Sequence, residues 1–150
     1  MTEKEEERTE DLNYYRLNLI SMLKSSYPEF LDDEEFISNR SQEAAEAFED
    51  AVRSGSNYLD ASAEANRTLY AGLGFSKFDT IFAVLTEEFM KELEEEQFRP
   101  FALKMMPVCE DVFAKYELYE NFEDSPEYDA LYTEITGRIV TYIEDNGIDL

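Results

Sequence analysis

One cysteine, 36 carboxylates and no histidine are the side chains this sequence offers for chemistry. The missing histidine removes Ser-His-Asp and Cys-His activation of a nucleophile, the Glu-x-x-His di-iron pattern and every zinc site that uses an imidazole. A single thiol, Cys109, can build neither a four-cysteine metal site nor an iron–sulfur cluster, and it forbids an intramolecular disulfide framework. Cys109 as a nucleophile would need a basic neighbourhood to lower its pKa. Its neighbours are Glu110 and Asp111, and it falls on an apolar stripe between Met105 and Val112. A buried thiol is the expected reading.

Gly72-Leu73-Gly74-Phe75-Ser76-Lys77 resembles a phosphate-cradling loop only superficially. It lacks the third glycine of the dinucleotide fingerprint and the Walker spacing, and no strand precedes it. A helix end followed by a helix cap at Ser76 accounts for it. No Asp-x-Asp-x-Asp-Gly calcium loop occurs, and Asp145-Asn146-Gly147 lies too near residue 150 for a twelve-residue loop. Two of the many acids could be written as a glycosidase pair, but nothing in the sequence selects which two. The sequence therefore points to no catalytic residue, no metal ligand and no cofactor.

The charge does carry information. Thirteen bases against 36 acids leave a net charge of −23. Phosphate backbones and anionic lipid surfaces are held by clustered Lys and Arg, so direct binding to nucleic acid or to a membrane surface is not expected. The expected partner is another protein, a basic one if the acidic surface is what binds. The segment 117–129 is the preferred candidate, because Glu117, Glu120, Glu123, Asp124, Glu127 and Asp129 stand there without one base. Tyr14, Tyr119 and Tyr132 fall partly off their stripes and, if exposed together, would mark a partner surface. Two alternatives stay open: an acidic mimic of DNA that inhibits a DNA-binding protein, and a carboxylate-based enzyme.

The elements that must position these groups are read from periodicity. Residues 1–10 have no apolar residue after Met1 and are expected to form a disordered acidic arm. From residue 11 the pattern is helical. Leu12, Tyr15, Leu19 and Met22 make the first stripe, and Pro28 ends that helix by restricting Tyr27. Asp32 or Asp33 caps a second helix, with Ile37, Ala44, Phe48, Ala51 and Val52 on its buried face and Gly55 at its end. Asn57 caps a third, rich in alanine. Ser76 opens a fourth, with Phe78, Phe82, Leu85, Phe89 and Leu93 on one face and fraying expected at Glu94-Glu95-Glu96. A fifth runs from Phe98 to Tyr116 with a kink or restart at Pro107. Ser125-Pro126 reads as a cap and first position for a sixth, which carries Tyr128, Leu131, Ile135, Ile139 and Tyr142 and ends at Gly147.

The expectation is an all-α protein: a compact irregular bundle of about six helices in one domain, residues 11–150. No stretch reaches the roughly 20 apolar residues of a membrane span. Residues 1–10 lack the apolar core of a secretory signal, so the expected compartment is the cytoplasm.

Four stretches carry a family resemblance: Tyr14-Tyr15-Arg16-Leu17, Glu43-Ala44-Ala45-Glu46 to Gly55, Phe75-Ser76-Lys77-Phe78-Asp79, and Ser125-Pro126-Glu127-Tyr128 to Gly137. In their order and spacing the chain resembles domain-of-unknown-function family 1896, small acidic proteins typical of Bacteroidetes genomes and their mobile elements. The resemblance implies a bacterial cytosolic accessory role and transfers no functional residue. The sequence thus favours a non-enzymatic protein-interaction or accessory module.

Overall fold

A computed structural model describes the backbone of residues 2–150 and their side chains apart from Arg8 and Thr9. It is helical throughout, with no strand among the described residues. The chain divides into two compact units, Met1–Leu73 and Gly74–Leu150, each with its own apolar core. The sequence predicts one domain over residues 11–150, and its hydrophobic stripes say which face of each helix is buried, not how the helices group. Gly72 and Gly74, which flank Leu73, both hold left-handed φ angles (+77° and +67°) that a side chain would disfavour.

The first unit is three helices. α1 (Glu3–Ser26) starts earlier than the expected disordered arm allows. Thr2 Oγ1 accepts from the Glu5 N–H at 3.2 Å, and the Glu5 carboxylate accepts from the Thr2 N–H at 3.3 Å, closing a capping box. Glu3, Glu5 and Glu6 in the first turn suit the positive end of the helix dipole. Good helix formers with a cap extend a helix into solvent even without apolar contacts; Met1 lies outside the described residues. Tyr15, Leu19 and Leu23 form the buried stripe. Leu23 occupies the place expected for Met22, which is only half-buried.

α2 (Glu34–Arg53) is capped by Asp33, whose Oδ1 accepts from the Phe36 N–H at 3.0 Å. It buries Ile37, Ser41, Ala44 and Ala45. Val52, expected inside, is 48% exposed, because the buried face has rotated away by the last turn. α3 (Tyr58–Tyr70) is capped by Asn57 and buries Ala61, Ala65 and Leu69. Alanines at the contact let α2 and α3 approach closely. Arg40 adds a polar tie, donating to the carbonyls of Thr68 and Leu69 (3.4 Å each) and of Ala71.

In the second unit α4 (Lys77–Glu88) is capped by Ser76, whose Oγ accepts from the Asp79 N–H at 3.0 Å. The helix ends at Glu88. Phe89 and Leu93 are still buried, but in the turn that follows, so the apolar spacing runs beyond the helix itself. Instead of a frayed helix end, Glu94–Glu96 lead through a 3₁₀ turn (Glu95–Gln97) into α5 (Phe98–Val108). α5 passes through Pro107 by one residue. The break falls at Cys109, and a short α6 (Glu110–Phe113) follows. That split makes seven helices among the described residues where six were expected.

α7 (Tyr128–Asn146) buries Leu131, Ile135 and Ile139. Ser125 does not cap it. The Ser125 carbonyl accepts from the Tyr128 N–H at 3.2 Å, and the Ser125 hydroxyl is buried without a hydrogen-bond partner among the described residues. A 3₁₀ turn at Phe122–Asp124 draws the chain inward through the buried Phe122, so the helix begins two residues later than the Ser-Pro signal implies. No described helix is long and apolar enough to cross a membrane.

Candidate functional site

The six acids singled out by sequence, Glu117, Glu120, Glu123, Asp124, Glu127 and Asp129, are all exposed in the second unit. They do not converge on a pocket. They follow a turn, the 3₁₀ segment and the first residues of α7, an irregular path pinned from beneath by Phe122. Tyr116 and Tyr119 meet the Phe122 ring edge to face, at 5.8 and 5.7 Å.

The three tyrosines proposed as a shared surface are not alike. Tyr14 belongs to the first unit and is 61% exposed, while Tyr119 and Tyr132 belong to the second. The Tyr132 hydroxyl donates to Glu87 at 2.5 Å and to Glu88 at 3.1 Å, which commits it to tying α7 to α4. Burial, with those two carboxylate acceptors, holds the Tyr132 phenol well above the usual range. Cys109 is fully buried, and burial pushes its thiol up to about 12. A thiolate is what reacts, so this cysteine is chemically quiet at neutral pH.

A concave feature lies in the first unit, where sequence reasoning proposed no site. A cleft of about 300 Å³ is lined by Glu10, Asp11, Tyr14 and Tyr15 of α1, Phe48 of α2, and Tyr58, Ser62 and Asn66 of α3. Each helix brings its residues there by spacing. Glu10 and Asp11 stand one turn before Tyr14 and Tyr15, and Tyr58 and Ser62 stand one turn apart at the start of α3.

The rings form two edge-to-face pairs. Tyr14 and Tyr15 have centroids 5.3 Å apart at 76°, and Phe48 and Tyr58 lie 5.6 Å apart at 77°. Tyr14 and Tyr58 are the open rim, at 61% and 75% exposure, and Tyr15 is the buried floor. No Lys or Arg among the described residues lines this cleft.

Its electrostatics follow from that lining. Burial, then the carboxylates of Glu49 and Glu10, raise the Asp11 carboxyl above its usual range. Burial, then Asp11 and the phenols of Tyr14 and Tyr58, push Tyr15 up to about 12. Both shifts record one fact: this pocket penalises added negative charge. A neighbouring shallower hollow, lined by Lys4, Glu7, Asp11, Phe48, Glu49, Val52 and Arg53, continues the surface. Its Arg53 is engaged with Glu49 (3.6 Å) and Asp50 (3.4 Å).

The sequence shows Tyr14 and Tyr58 only as separate aromatic residues off the core stripes; their meeting depends on how three helices pack. Among the described residues no three His, Cys, Asp or Glu side chains are grouped so as to hold a metal ion.

Fold and surface together define an acidic, all-helical protein built from two small helical units, one of them with an aromatic cleft. The chain belongs to the domain-of-unknown-function family DUF1896, whose pattern matches residues 7–148. It is similar to protein PG0816 from Porphyromonas gingivalis, known from a crystal structure. The two share 41% identity over 97% of this chain and 99% of the other, with a TM-score of 0.82. No curated protein matches the sequence.

Proposed function

We propose that this protein is a non-enzymatic interaction module that docks a basic segment of another protein on its first unit, in the cytoplasm. The observation that carries the reading is the cleft between α1, α2 and α3, whose lining combines four aromatic rings with two carboxylates and no cation among the described residues. Exposed aromatic side chains supply large contact area at small entropy cost, and they are where interface energy concentrates. Residues 1–73 hold 17 acids against 7 bases, so the field around the cleft draws in basic partners.

The alternatives account for less. A DNA mimic needs carboxylates in a regular row at about phosphate spacing, whereas the acids of 117–129 follow an irregular path. A carboxylate enzyme has Asp11 as a possible proton donor. General acid chemistry also needs a partner group placed on the opposite side of a reacting bond, and the other carboxylate of the cleft, Glu10, stands next to Asp11 on the same helix; the rest of the lining is four rings, a serine and an amide.

The test is capture of partners from a Bacteroidetes lysate, at low and high salt, with the wild-type chain and with a Tyr14→Ser/Tyr58→Ser double variant. The reading expects a captured protein that is lost on the double variant while the helical circular dichroism spectrum is unchanged. Capture that survives the double variant but is lost on a Glu120→Lys/Glu123→Lys/Asp124→Lys variant would move the site to the second unit.

A further inference from the structure

We infer that the cleft of the first unit is a socket for one organic cation, a lysine or arginine side chain, gripped between the Tyr14–Tyr15 and Phe48–Tyr58 pairs with Asp11 as its counter-ion. This rests on the docking reading and goes further by naming the anchor.

Three observations converge on it. First, the lining is aromatic. Four rings, in two edge-to-face pairs at 76° and 77°, line one hollow, and a cation within about 6 Å of a ring centroid is attracted to its face. The protein itself uses the same contact elsewhere, with the Arg40 guanidinium 5.0 Å from the Phe36 centroid and that of Arg99 5.1 Å from Phe78. Second, the size is right for a single side chain, since about 300 Å³ is at the low end of small-ligand pockets.

Third, the charge is unbalanced. Asp11 makes no ion pair among the described residues, and Glu10 beside it is exposed. A buried or half-buried carboxylate is disfavoured unless a cation compensates it, and the incoming ammonium or guanidinium supplies that compensation. Ser62 and Asn66 on the α3 wall offer an oxygen acceptor each for the remaining N–H donors. An apolar side chain would fill the same volume but leave the carboxylate uncompensated, so the socket discriminates by charge.

The experiment is a titration of the full-length protein, followed by the ring-proton resonances of Tyr14 and Tyr58. The probes are N-acetyl-lysine methylamide and N-acetyl-arginine methylamide, with N-acetyl-norleucine methylamide as the neutral match in length. The expected result is saturable shifts with the two cationic probes in the millimolar range and none with norleucine. Tyr58→Phe should bind as the wild type does, because its π-face remains. Tyr58→Leu and Asp11→Asn should each weaken binding about tenfold. Tyr119→Ala, an exposed aromatic in acidic surroundings of the second unit, should change nothing.

Equal binding of norleucine, or a Tyr58→Leu variant that binds as well as Tyr58→Phe, would overturn the cation socket in favour of a plain apolar groove. No saturable shift with any probe would also overturn it. Either result, with partner capture still dependent on Tyr14 and Tyr58, would leave the docking reading standing without a cationic anchor.

Discussion

Phe48, near the end of α2, meets Tyr58, the first residue of α3, edge to face with ring centroids 5.6 Å apart. Only Ser54 to Asn57 separate the two helices, and Gly55 makes the reversal possible with a φ of +98°. A short connection of this kind forces antiparallel neighbours, so the ring at one end of α2 and the ring at the start of α3 must share one end of the pair. The cleft is thus a consequence of the tightest turn in the first unit.

The two rings of that pair should respond differently to truncation. Phe48 is half-buried against the core of the first unit, and Tyr58 is 75% exposed. Phe48→Ala should lower stability by about 2–3 kcal/mol, at or below the usual range for a buried phenylalanine. Tyr58→Ala should cost about 0.5–1 kcal/mol, the worth of an edge-to-face contact. Urea denaturation of both variants checks this. Equal losses would mean that Tyr58 is part of the packed core, and that its exposure is not available to a ligand.

Cys109 should stay silent towards a thiol reagent in the native protein and react once the protein is unfolded. It is fully buried, and burial pushes its thiol up to about 12 from an ordinary value of 9. A thiol raised in the folded state favours folding while it is protonated. That contribution is whole below pH 9 and is lost as pH rises towards 12. Cys109→Ser should destabilise by about 1–3 kcal/mol, since it puts a hydroxyl into an apolar core. Rapid native labelling would show that the joint between α5 and α6 opens readily.

The pH dependence of the first unit should centre on Asp11. Its carboxyl is raised by burial and by Glu49 and Glu10; Glu7, Lys4, Arg53, Tyr14, Tyr15 and Tyr58 are the other titratable groups among the described residues that line the two hollows it shares. A raised carboxylate is easier to ionise in the unfolded chain than in the folded one. Its contribution to stability is therefore whole below the ordinary value of 3.8 and is lost as pH rises through the folded pKa. Glu34, held down by the Arg16 hydrogen bond, and Glu134, held down by Tyr116 and Lys115, have the opposite sign and lose stability as pH falls. Asp11→Asn should consequently raise the melting temperature at pH 7, with the advantage vanishing as pH drops towards 4 (roughly the ordinary Asp range). An advantage that grows on acidification would contradict the assignment.

Much of the fold was legible because it is written locally. Asn57 and Ser76 cap their helices where the sequence put them, and Asp33 is the one of two expected candidates that caps α2; Gly55 and Gly147 end helices at positive φ. The early start of α1 is local too, set by the Thr2–Glu5 capping box; other readings that differed turn on non-local packing. Ser125-Pro126 carries a cap signal, but the burial of Phe122 takes the serine inward and moves the helix start to Tyr128. Phe89 and Leu93 keep a helical spacing although α4 stops at Glu88, because the turn after it also buries apolar side chains. The cleft was illegible for a related reason. Tyr14, Phe48 and Tyr58 lie on three helices, and no spacing within one helix links them. A run of acids is visible in any sequence; a pocket made of rings from separate elements is not.

Charge reversal separates the two candidate surfaces. Glu120, Glu123 and Asp124 are exposed and off the apolar stripes, so Lys at all three should leave folding intact. If the docked partner touches the first-unit cleft and not the segment 117–129, this triple variant alters only the long-range field. Association with a captured basic partner should then slow by a factor of about 2–5 at low salt and converge with the wild type at high salt, as expected for charges beyond the contact. Dissociation should be unchanged. Tyr58→Ala should do the reverse, speeding dissociation with little effect on the salt slope, because it removes contact and not charge. Rates measured by surface plasmon resonance at several ionic strengths distinguish these patterns. A triple variant that speeds dissociation as well would put Glu120, Glu123 and Asp124 inside the contact and reinstate the acidic segment 117–129 as the binding surface.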